Sequence, residues 1–533
     1  MIKAIRGTRD LLPPDTALWN FVEAAVRDVF RAYNFHEIRT PIFEETQLFA
    51  RAVGEETDVV AKEMYTWEDG GGSADNALLR LWMAKHWKEL SGIVEPRPFP
   101  EQRTRFGVGI QANWNGIWTL VRARYGATSQ DLAQLKASGR AWQAMSENRA
   151  IQLVLVTLKG SVPDTFTQDA KQKGLEVEEL DSEAFDPPQS LTLRPENTAG
   201  VVRAYIEHKL WERGLNKLYY IGPQFRRERP QKGRYRQFYQ IGAEVIGPAS
   251  SGSESPARDA EILELLATLL DRLGIEGWTL QLNSIGCPAD RARYNEALRK
   301  ALEPVAAKMC TDCQRRAVTN PLRVFDCKVP EDQPIIENLP RISQFLDEPC
   351  RQHFEQVQEI LRAVGVDFQL NDRLVRGLDY YTRTAFEFTH GALGAQNAIL
   401  GGGRYDGLSE SLGGPNAPGI GFAIGEDRLV LALRQSAEAV QKKPDVYIAP
   451  LGAGMNREAA RLARELRRHD VIVDLGDESF RLKKSFETAD KQGARFILIV
   501  GENEVKAGAF AVKNLATGVQ ISVPRADLPQ KLR

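Results

Sequence analysis

Residues 217–247, "KLYYIGPQFRRERPQKGRYRQFYQIGAEVIG", read as a strand, a basic loop and a returning strand. From Phe225 to Phe238 the chain packs six Lys and Arg into fourteen positions, with Glu228 as the only acid. Successive side chains of a strand point to opposite faces, so positions 238, 240, 242 and 244 share one face. Gln240 and Glu244 therefore project together, and Gly242 leaves room between them. Arg226, where the first strand ends, can lay its planar fork on a phosphate, and Glu244 can accept from a ligand N–H. A solvated, salt-bridged hairpin is the competing reading of such a charge run.

The positive charge of this hairpin is local, because the whole chain holds 70 Lys plus Arg against 71 Asp plus Glu. That balance excludes a protein coated in positive charge, though not one that grips nucleic acid through a patch. At 533 residues the chain exceeds one ordinary domain. A hydrophobic content of 43% with 26% charged residues is that of a soluble globular protein. No stretch reads as a membrane span, and "MIKAIRGTRDLLPPD" lacks the apolar core of a signal peptide, so a cytoplasmic protein is expected. Five cysteines, an odd and small number, fit a reducing compartment. Cys310 and Cys313 form a CxxC with no second pair at zinc-finger spacing, so reduced thiols and no metal site are expected.

Residues 17–33 carry apolar side chains at helical spacing, with Asp15 or Thr16 placed to cap the helix. "HEIRTPIFE" (36–44) reads as extended, and Pro41 assigns it to an edge or an interface. "EMYTWED" (63–69) and "SLTLRPE" (190–196) alternate like strands, with a helical stretch following from 197. Between them, a Gly-rich start at 70–73 and "DPP" at 186–188 bound a section of different composition. It holds Trp82, Trp87, Trp114, Trp118 and Trp142, and its 76–150 part has 11 Lys plus Arg against 5 acids. Long structureless loops are uncommon, so a separately packed module is expected. After the hairpin come an amphipathic helix (257–274), a strand (278–284), further helices, and from 366 strands with glycine turns. From 445 strand and helix alternate as in a small α/β domain. The expected fold class is α+β, an antiparallel sheet flanked by helices, followed by the small α/β domain. The expected divisions are 1–73 with 189–440, the insertion 74–188, and 445–533.

Four other strings carry chemistry. In "LVRGLDYYTRTAFEF" (374–388) Arg376 stands in an otherwise apolar, strand-like run and needs an anionic partner, with Asp379 as the nearest acid. Tyr380 and Tyr381 supply aromatic walls with polar tips. "GGGRYDGL" (401–408) reads as a glycine turn that lets backbone approach a flat ligand. "GIGFAIGEDRL" (419–429) puts Arg428 in the first turn of a helix. "TLRPENTAG" (192–200) puts Glu196 and Thr198 at a strand–helix junction, suited to capping or to holding an ammonium.

Taken together, these strings resemble the class II aminoacyl-tRNA synthetases, and specifically the histidyl-tRNA synthetase family. "RTPIFE" is similar to the class motif at the dimer interface, "FRRERPQKGRYRQFYQIGAEVIG" to the second motif, and "GIGFAIGEDRL" to the third. "LVRGLDYYTRTAFE" and "GGGRYDGL" resemble strings particular to the histidine enzyme. The resemblance implies a class II sheet, an anticodon-binding C-terminal domain, and a homodimer that joins L-histidine to tRNA(His) through histidyl-adenylate, with ATP and Mg²⁺. It implies that Arg226, Glu228 and Arg428 meet ATP and that Arg376 faces the α-phosphate and the histidine carboxylate. Glu196 and Thr198 would meet the α-amino group, Gln240, Glu244, Tyr380 and Tyr381 the rest of histidine, and Arg229 and Gln231 the tRNA acceptor end. Two departures stand out. The family usually has Gly where this chain has Asn197, a residue tolerant of left-handed backbone. The family also usually has a short turn where this chain has 74–188. A related non-catalytic subunit of ATP phosphoribosyltransferase would lack the C-terminal module, and a plain RNA-binding protein would not need Gln240, Glu244 and the paired tyrosines.

Overall fold

The computed structural model describes residues 2–54, 57, 59–69, 74–94, 109–124, 127–145, 150–160, 162–181, 189–230, 233–393, 397–433 and 443–533. Gln231, the glycine run at 70–73 and the "DPP" at 186–188 lie outside these residues. Two compact units are present, one of Met1–Arg9 with Val26–Ala432 and one of Asp10–Ala25 with Leu433–Arg533. The division falls inside the helix Asp15–Ala32, so residues 10–25 group with the C-terminal unit and not with the remainder of 1–73.

The first unit is organised by an eight-stranded sheet. Its spatial order is His36–Glu37, Lys217–Phe225, Gln237–Ile246, Gly419–Gly425, Ala398–Arg404, Thr382–His390, Trp278–Ser284, Gln369–Leu370. The six central strands are antiparallel, and only the two short edge strands pair in parallel. The basic hairpin is Lys217–Phe225 with Gln237–Ile246, registered from Lys217 opposite Val245 to Phe225 opposite Gln237. Helices Pro256–Arg272 and Glu348–Val364 pack on one another and against this sheet. The first starts where Ser255 accepts the Ala257 N–H and a proline fills its first position, and it buries Ile262, Leu263, Leu266 and Leu270.

Three local expectations are corrected. Arg376 lies in a loop before the strand Thr382–His390, because the 374–381 run contains Gly377 and Asp379 and finds no ladder partner. Gly401–Gly403 are not a turn but the middle of the strand Ala398–Arg404, where neighbouring side chains occupy the space a Cβ would need. Asn197 has φ −120°, so the left-handed tolerance expected of it is not used. Its Oδ1 instead accepts the Thr40 hydroxyl at 2.6 Å and the Arg194 guanidinium at 3.3 Å.

A second, three-stranded antiparallel sheet orders Phe43–Glu45, Gln189–Leu193, Tyr65–Asp69. Pro41 thus separates two edge strands of different sheets, as a residue without an N–H donor can. Asp69 pairs with Gln189, so the long section between them leaves and re-enters a single hairpin. That section builds its own sheet, ordered Leu90–Val94, Gly109–Trp114, Ile117–Ala123, Gln152–Leu158, Glu176–Leu180. The last three strands are parallel, linked by helices Ser129–Met145 and Asp164–Gln172. Its apolar string "IQLVLVTL" is buried on both faces. Val154, Val156 and Leu158 join a core with Leu78 and Trp82 of the helix Ala74–His86, while Leu153 and Leu155 pack with Leu132, Leu135 and Phe166. Burial on two faces explains why this strand shows no alternation. Trp82 is fully buried and donates to Glu178 at 2.6 Å, whereas Trp87 is exposed. The side chain of Trp142 lies outside the described residues.

In the second unit a five-stranded sheet runs Val473–Leu475, Val446–Leu451, Phe496–Gly501, Ala509–Asn514, Gln520–Pro524. The first three are parallel, as the βαβ pattern of the sequence requires, and Ala459, Leu462, Ala463 and Leu466 seat the helix Met455–Arg467 on its core. No described helix is long and apolar enough to cross a membrane.

Candidate active site

The large sheet carries a cavity of about 1230 Å³ whose lining is rich in arginine. Arg226, just past the end of its hairpin strand, donates from Nε to the Pro195 carbonyl at 2.8 Å and stacks over Phe238 at 5.4 Å. Arg428, in the first turn of the helix Glu426–Leu433, donates from Nε to the Ala398 carbonyl at 2.7 Å. In both, a backbone oxygen fixes the guanidinium plane. Burial, together with nearby Arg234, holds the Arg428 pKa below its ordinary value. Glu228 also lines the cavity and pairs with Arg234 at 3.0 Å.

Arg376 reaches the same cavity from its loop. Its carboxylate partner is Glu387 at 3.3 Å, not Asp379, and its guanidinium lies 5.5 Å from the centre of the Tyr381 ring. Burial works against its charge, but Tyr381 and Glu387 more than offset this and raise its pKa. A Cβ on Gly401 would stand 2.6 Å from Arg376 Nη1, so glycine there is what lets the guanidinium lie on the strand.

Behind the cavity the structure gathers Glu196, Thr198, Glu244, Tyr380 and Tyr381 with Tyr220 and Tyr405, none of which the cavity lining includes. Glu196 caps the helix Thr198–Glu207, accepting the N–H of Thr198 at 2.8 Å and of Ala199 at 3.0 Å. Thr198 Oγ1 donates to Glu244 Oε1 at 2.7 Å. Glu244 is fully buried, the Tyr405 hydroxyl lies near its carboxylate, its Oε2 forms no close hydrogen bond among the described residues, and a side chain on Gly421 opposite would collide with it. Burial pushes the Glu244 pKa up to about 8, with Glu196 adding to the shift. Burial likewise raises Glu196. Arg226 opposes the burial at Glu196, and two buried carboxylates with a single arginine acting on one of them make a pocket that favours a cationic or N–H-rich ligand. Gln240 connects the two regions: it lies on the Glu244 strand, lines the cavity, and has an unpartnered Oε1.

Of the residues singled out in the sequence, Arg226, Glu228, Gln240, Arg376 and Arg428 therefore share the cavity, and Glu196, Thr198, Glu244, Tyr380 and Tyr381 share the buried pocket. Arg229 is exposed and outside the lining, and Gln231 lies outside the described residues. Glu387, Arg316 and Lys328 line the cavity without having been singled out. Glu387 was detectable as the lone acid in "TAFEFTH", on the opposite face from Phe386 and Phe388. Arg316 and Lys328 sit in helical and loop segments whose placement only the fold gives.

Comparison with known proteins now decides the family. A histidine--tRNA ligase of Koribacter versatilis (strain Ellin345) is 56% identical over 534 residues, covering 100% of this chain and 96% of that protein. The chain belongs to the histidyl-tRNA synthetase family. The histidine--tRNA ligase of Solibacter usitatus (strain Ellin6076) is 47% identical over 100% of this chain and 99% of its own length. Both alignments span 74–188 and nearly the full relative, so the section is shared with these members of the family. The family model "Histidyl-tRNA synthetase" matches residues 185–429, and the model "Anticodon binding domain" matches 445–533. The apo histidyl-tRNA synthetase of S. aureus matches with a TM-score of 0.64 at 31% identity, covering 100% of both chains.

Proposed function

We infer that the chain attaches L-histidine to tRNA(His), using ATP and passing through histidyl-adenylate. The observation that carries this reading is the adjacency of an arginine-lined cavity to a buried, carboxylate-lined pocket in a member of this family. The histidine carboxylate attacks the α-phosphorus of ATP and pyrophosphate leaves; the terminal ribose hydroxyl of tRNA then takes the histidyl group and AMP leaves. Neither step needs a covalent bond to the protein, only positioning and neutralised phosphate charge. In this reading Arg226 and Arg428 hold ATP phosphates, with Glu228 beside them. Arg376 bridges the α-phosphate and the histidine carboxylate. Glu196 and Thr198 take the α-amino group, and Gln240, Glu244, Tyr380 and Tyr381 enclose the remainder of histidine. Arg229 and Gln231 approach the tRNA end. ATP enters with Mg²⁺, for which Glu228 and Glu387 are cavity carboxylates of the hard-oxygen kind that ion takes, and Mg²⁺ would neutralise phosphate charge. The deciding assay is ATP–pyrophosphate exchange: it should require histidine, and exchange without histidine or with another amino acid instead would overturn the reading.

Glu244 gives a pH signature. At low pH its carboxyl is protonated folded or unfolded; as pH rises toward about 8 the unfolded chain sheds that proton while the empty folded site keeps it. The folded empty pocket thus loses stability progressively across this window. A ligand N–H that needs the carboxylate ionised should bind more tightly as pH rises through it, releasing a proton. Calorimetry of histidine binding near pH 7, in buffers of different ionisation enthalpy, should show this release, and Glu244→Gln should abolish it. Glu244→Ala should weaken histidine far more than ATP; equal weakening of both would make Glu244 a brace and not a ligand.

The homodimer rests on the small sheet, where Ile42, Phe43 and Trp67 are exposed and Phe43 packs edge-on to Trp67 at 6.0 Å. An apolar cluster of this kind marks an interface, and it lies in the segment that resembles the class motif. The 74–188 section, with its own cores, is read as a peripheral module in a cytoplasmic enzyme. Replacing it with a short Gly-containing turn between Asp69 and Gln189 should leave a protein that sediments as a dimer and performs exchange. A soluble, dimeric but inactive product would show that the module supports Glu196 and its pocket.

A further inference from the structure

The CxxC of the sequence is not alone in space. Cys310, Cys313, Cys327 and Asp332 converge so that one ligand atom from each lies within 4.8 Å of all the others. We propose that these four residues bind one zinc ion, a structural site of three thiolates and a carboxylate.

The ligand-atom separations are of the size a closed tetrahedral shell needs. Zn–S bonds of about 2.3 Å put two sulfurs of a tetrahedron about 3.8 Å apart. Cys310 and Cys327 Sγ are 3.9 Å apart, and Cys327 Sγ lies 3.2 Å from Asp332 Oδ2. All five cysteines of the chain are free, so no disulfide claims these sulfurs. Three thiolates with one carboxylate and no position left open is the donor set of a structural zinc site, softer than Mg²⁺ or Ca²⁺ would take.

Charge supplies an independent argument. Asp332 is 1% exposed and, among the described residues, forms no ion pair; its oxygens meet the Cys310 N–H, at 3.1 and 3.2 Å, and the sulfurs of Cys310, Cys313 and Cys327. A carboxylate buried without a counter-charge is costly, and a cation at the centre of the cluster removes that cost. A second cysteine–aspartate group among the described residues, Cys287, Asp290, Asp347 and Cys350, shows what a satisfied cluster looks like. There Asp290 accepts the N–H of Cys287 and of Asp347 and pairs with Arg293 at 2.5 Å, and Asp347 accepts the Cys350 N–H, so its polar atoms serve two helix starts and an arginine. That group has its cation already; among the described residues the Cys310 group has none.

The supporting contacts also suit thiolates. Cys310 is the N-cap of the helix Thr311–Thr319 and Cys313 lies in its first turn, where the helix dipole favours negative sulfur. The Val329 N–H points at Cys327 Sγ from 3.4 Å. Binding would form three Zn–S bonds and one Zn–O bond, with the thiol protons passing to solvent and no change of oxidation state. The ion would tie the start of one helix to the turn after Pro321–Asp326 and to the start of Gln333–Glu337. Asp326, Cys327 and Lys328 in that turn line the cavity, so the metal would hold one of its walls.

The test uses the full chain, purified without chelators, with zinc measured by elemental mass spectrometry. About one zinc per chain is expected, and Cys313→Ser should lower that content at least about tenfold while Cys287→Ser leaves it unchanged. Replacement by Co²⁺ should give the thiolate-to-cobalt charge-transfer absorption and visible bands of a tetrahedral site, altered by Asp332→Asn. A wild-type chain that carries no zinc and takes up neither Zn²⁺ nor Co²⁺ overturns the proposal. So does a disulfide between Cys310 and Cys327, or zinc that survives Cys313→Ser and is lost in Cys287→Ser. Should Cys313→Ser fail to fold, the wild-type metal content and cobalt spectrum decide alone, an octahedral oxygen-type spectrum counting against the site.

Discussion

Arg376→Ala is expected to lower histidine-dependent ATP–pyrophosphate exchange at least about hundredfold, a barrier increase of about 2.7 kcal/mol. The reason lies in how the side chain is held. Glu387 at 3.3 Å and the Tyr381 ring orient the guanidinium, and the absent side chain at Gly401 lets it lie against the strand facing the cavity. A donor fixed in this way costs nothing to reorganise as charge builds on the α-phosphate, which is where fixed donors act most strongly. Arg376→Lys keeps the charge and loses the planar fork, so it should recover only part of the rate. If the loss falls in kcat, Arg376 acts on the transition state; if it falls in the histidine KM alone, the contact is to the ground-state carboxylate. Near-normal exchange in Arg376→Ala would remove it from the chemistry altogether.

Removing residues 445–533 should separate the two half-reactions. Exchange should persist within a few-fold, because the cavity and the carboxylate pocket lie wholly in the other compact unit. Charging of tRNA(His) should fall by about 10² to 10⁴, the range by which a tethered second binding module raises apparent affinity. The region matched by the anticodon-binding model carries 15 Lys plus Arg against 12 acids, a small excess suited to RNA. Retained exchange doubles as the check that the truncated protein is folded. Charging that survives the deletion unchanged would leave this module without a part in recognising tRNA.

What the sequence disclosed follows the range of each physical rule. The period-two rule placed Gln240 and Glu244 on one strand face, and the structure puts one in the cavity and the other in the pocket behind it. Strand, loop and helix boundaries of the hairpin and the last strand–helix unit were readable because propensity and burial agree there. The Arg376–Glu387 pairing was not, since it depends on how a loop folds back over a sheet. The strand glycines read as a turn in the sequence because their reason is the bulk of Arg376, Phe386 and Tyr381, none adjacent in sequence. Cys327 and Asp332 stand too far along the chain from Cys310 for any spacing rule to recruit them, and only the packing of short helical turns between them does so.

The pairing of Asp69 with Gln189 also bears on how the chain reaches its native state. For the strand leading into Glu196 to zip against Tyr65–Asp69, a loop running from 70 to 188 must first close. Such a loop is about five doublings longer than a tight turn, which adds about 3 kcal/mol of closure entropy. The cost is already met if the intervening section folds beforehand, since Leu78 near its start and Leu180 near its end share one core and bring the two ends together. On this route the insertion acts as a folding clamp for the amino-acid pocket. Trp82→Ala, far from any substrate, should then slow the recovery of exchange activity after denaturation more than it lowers the activity finally regained.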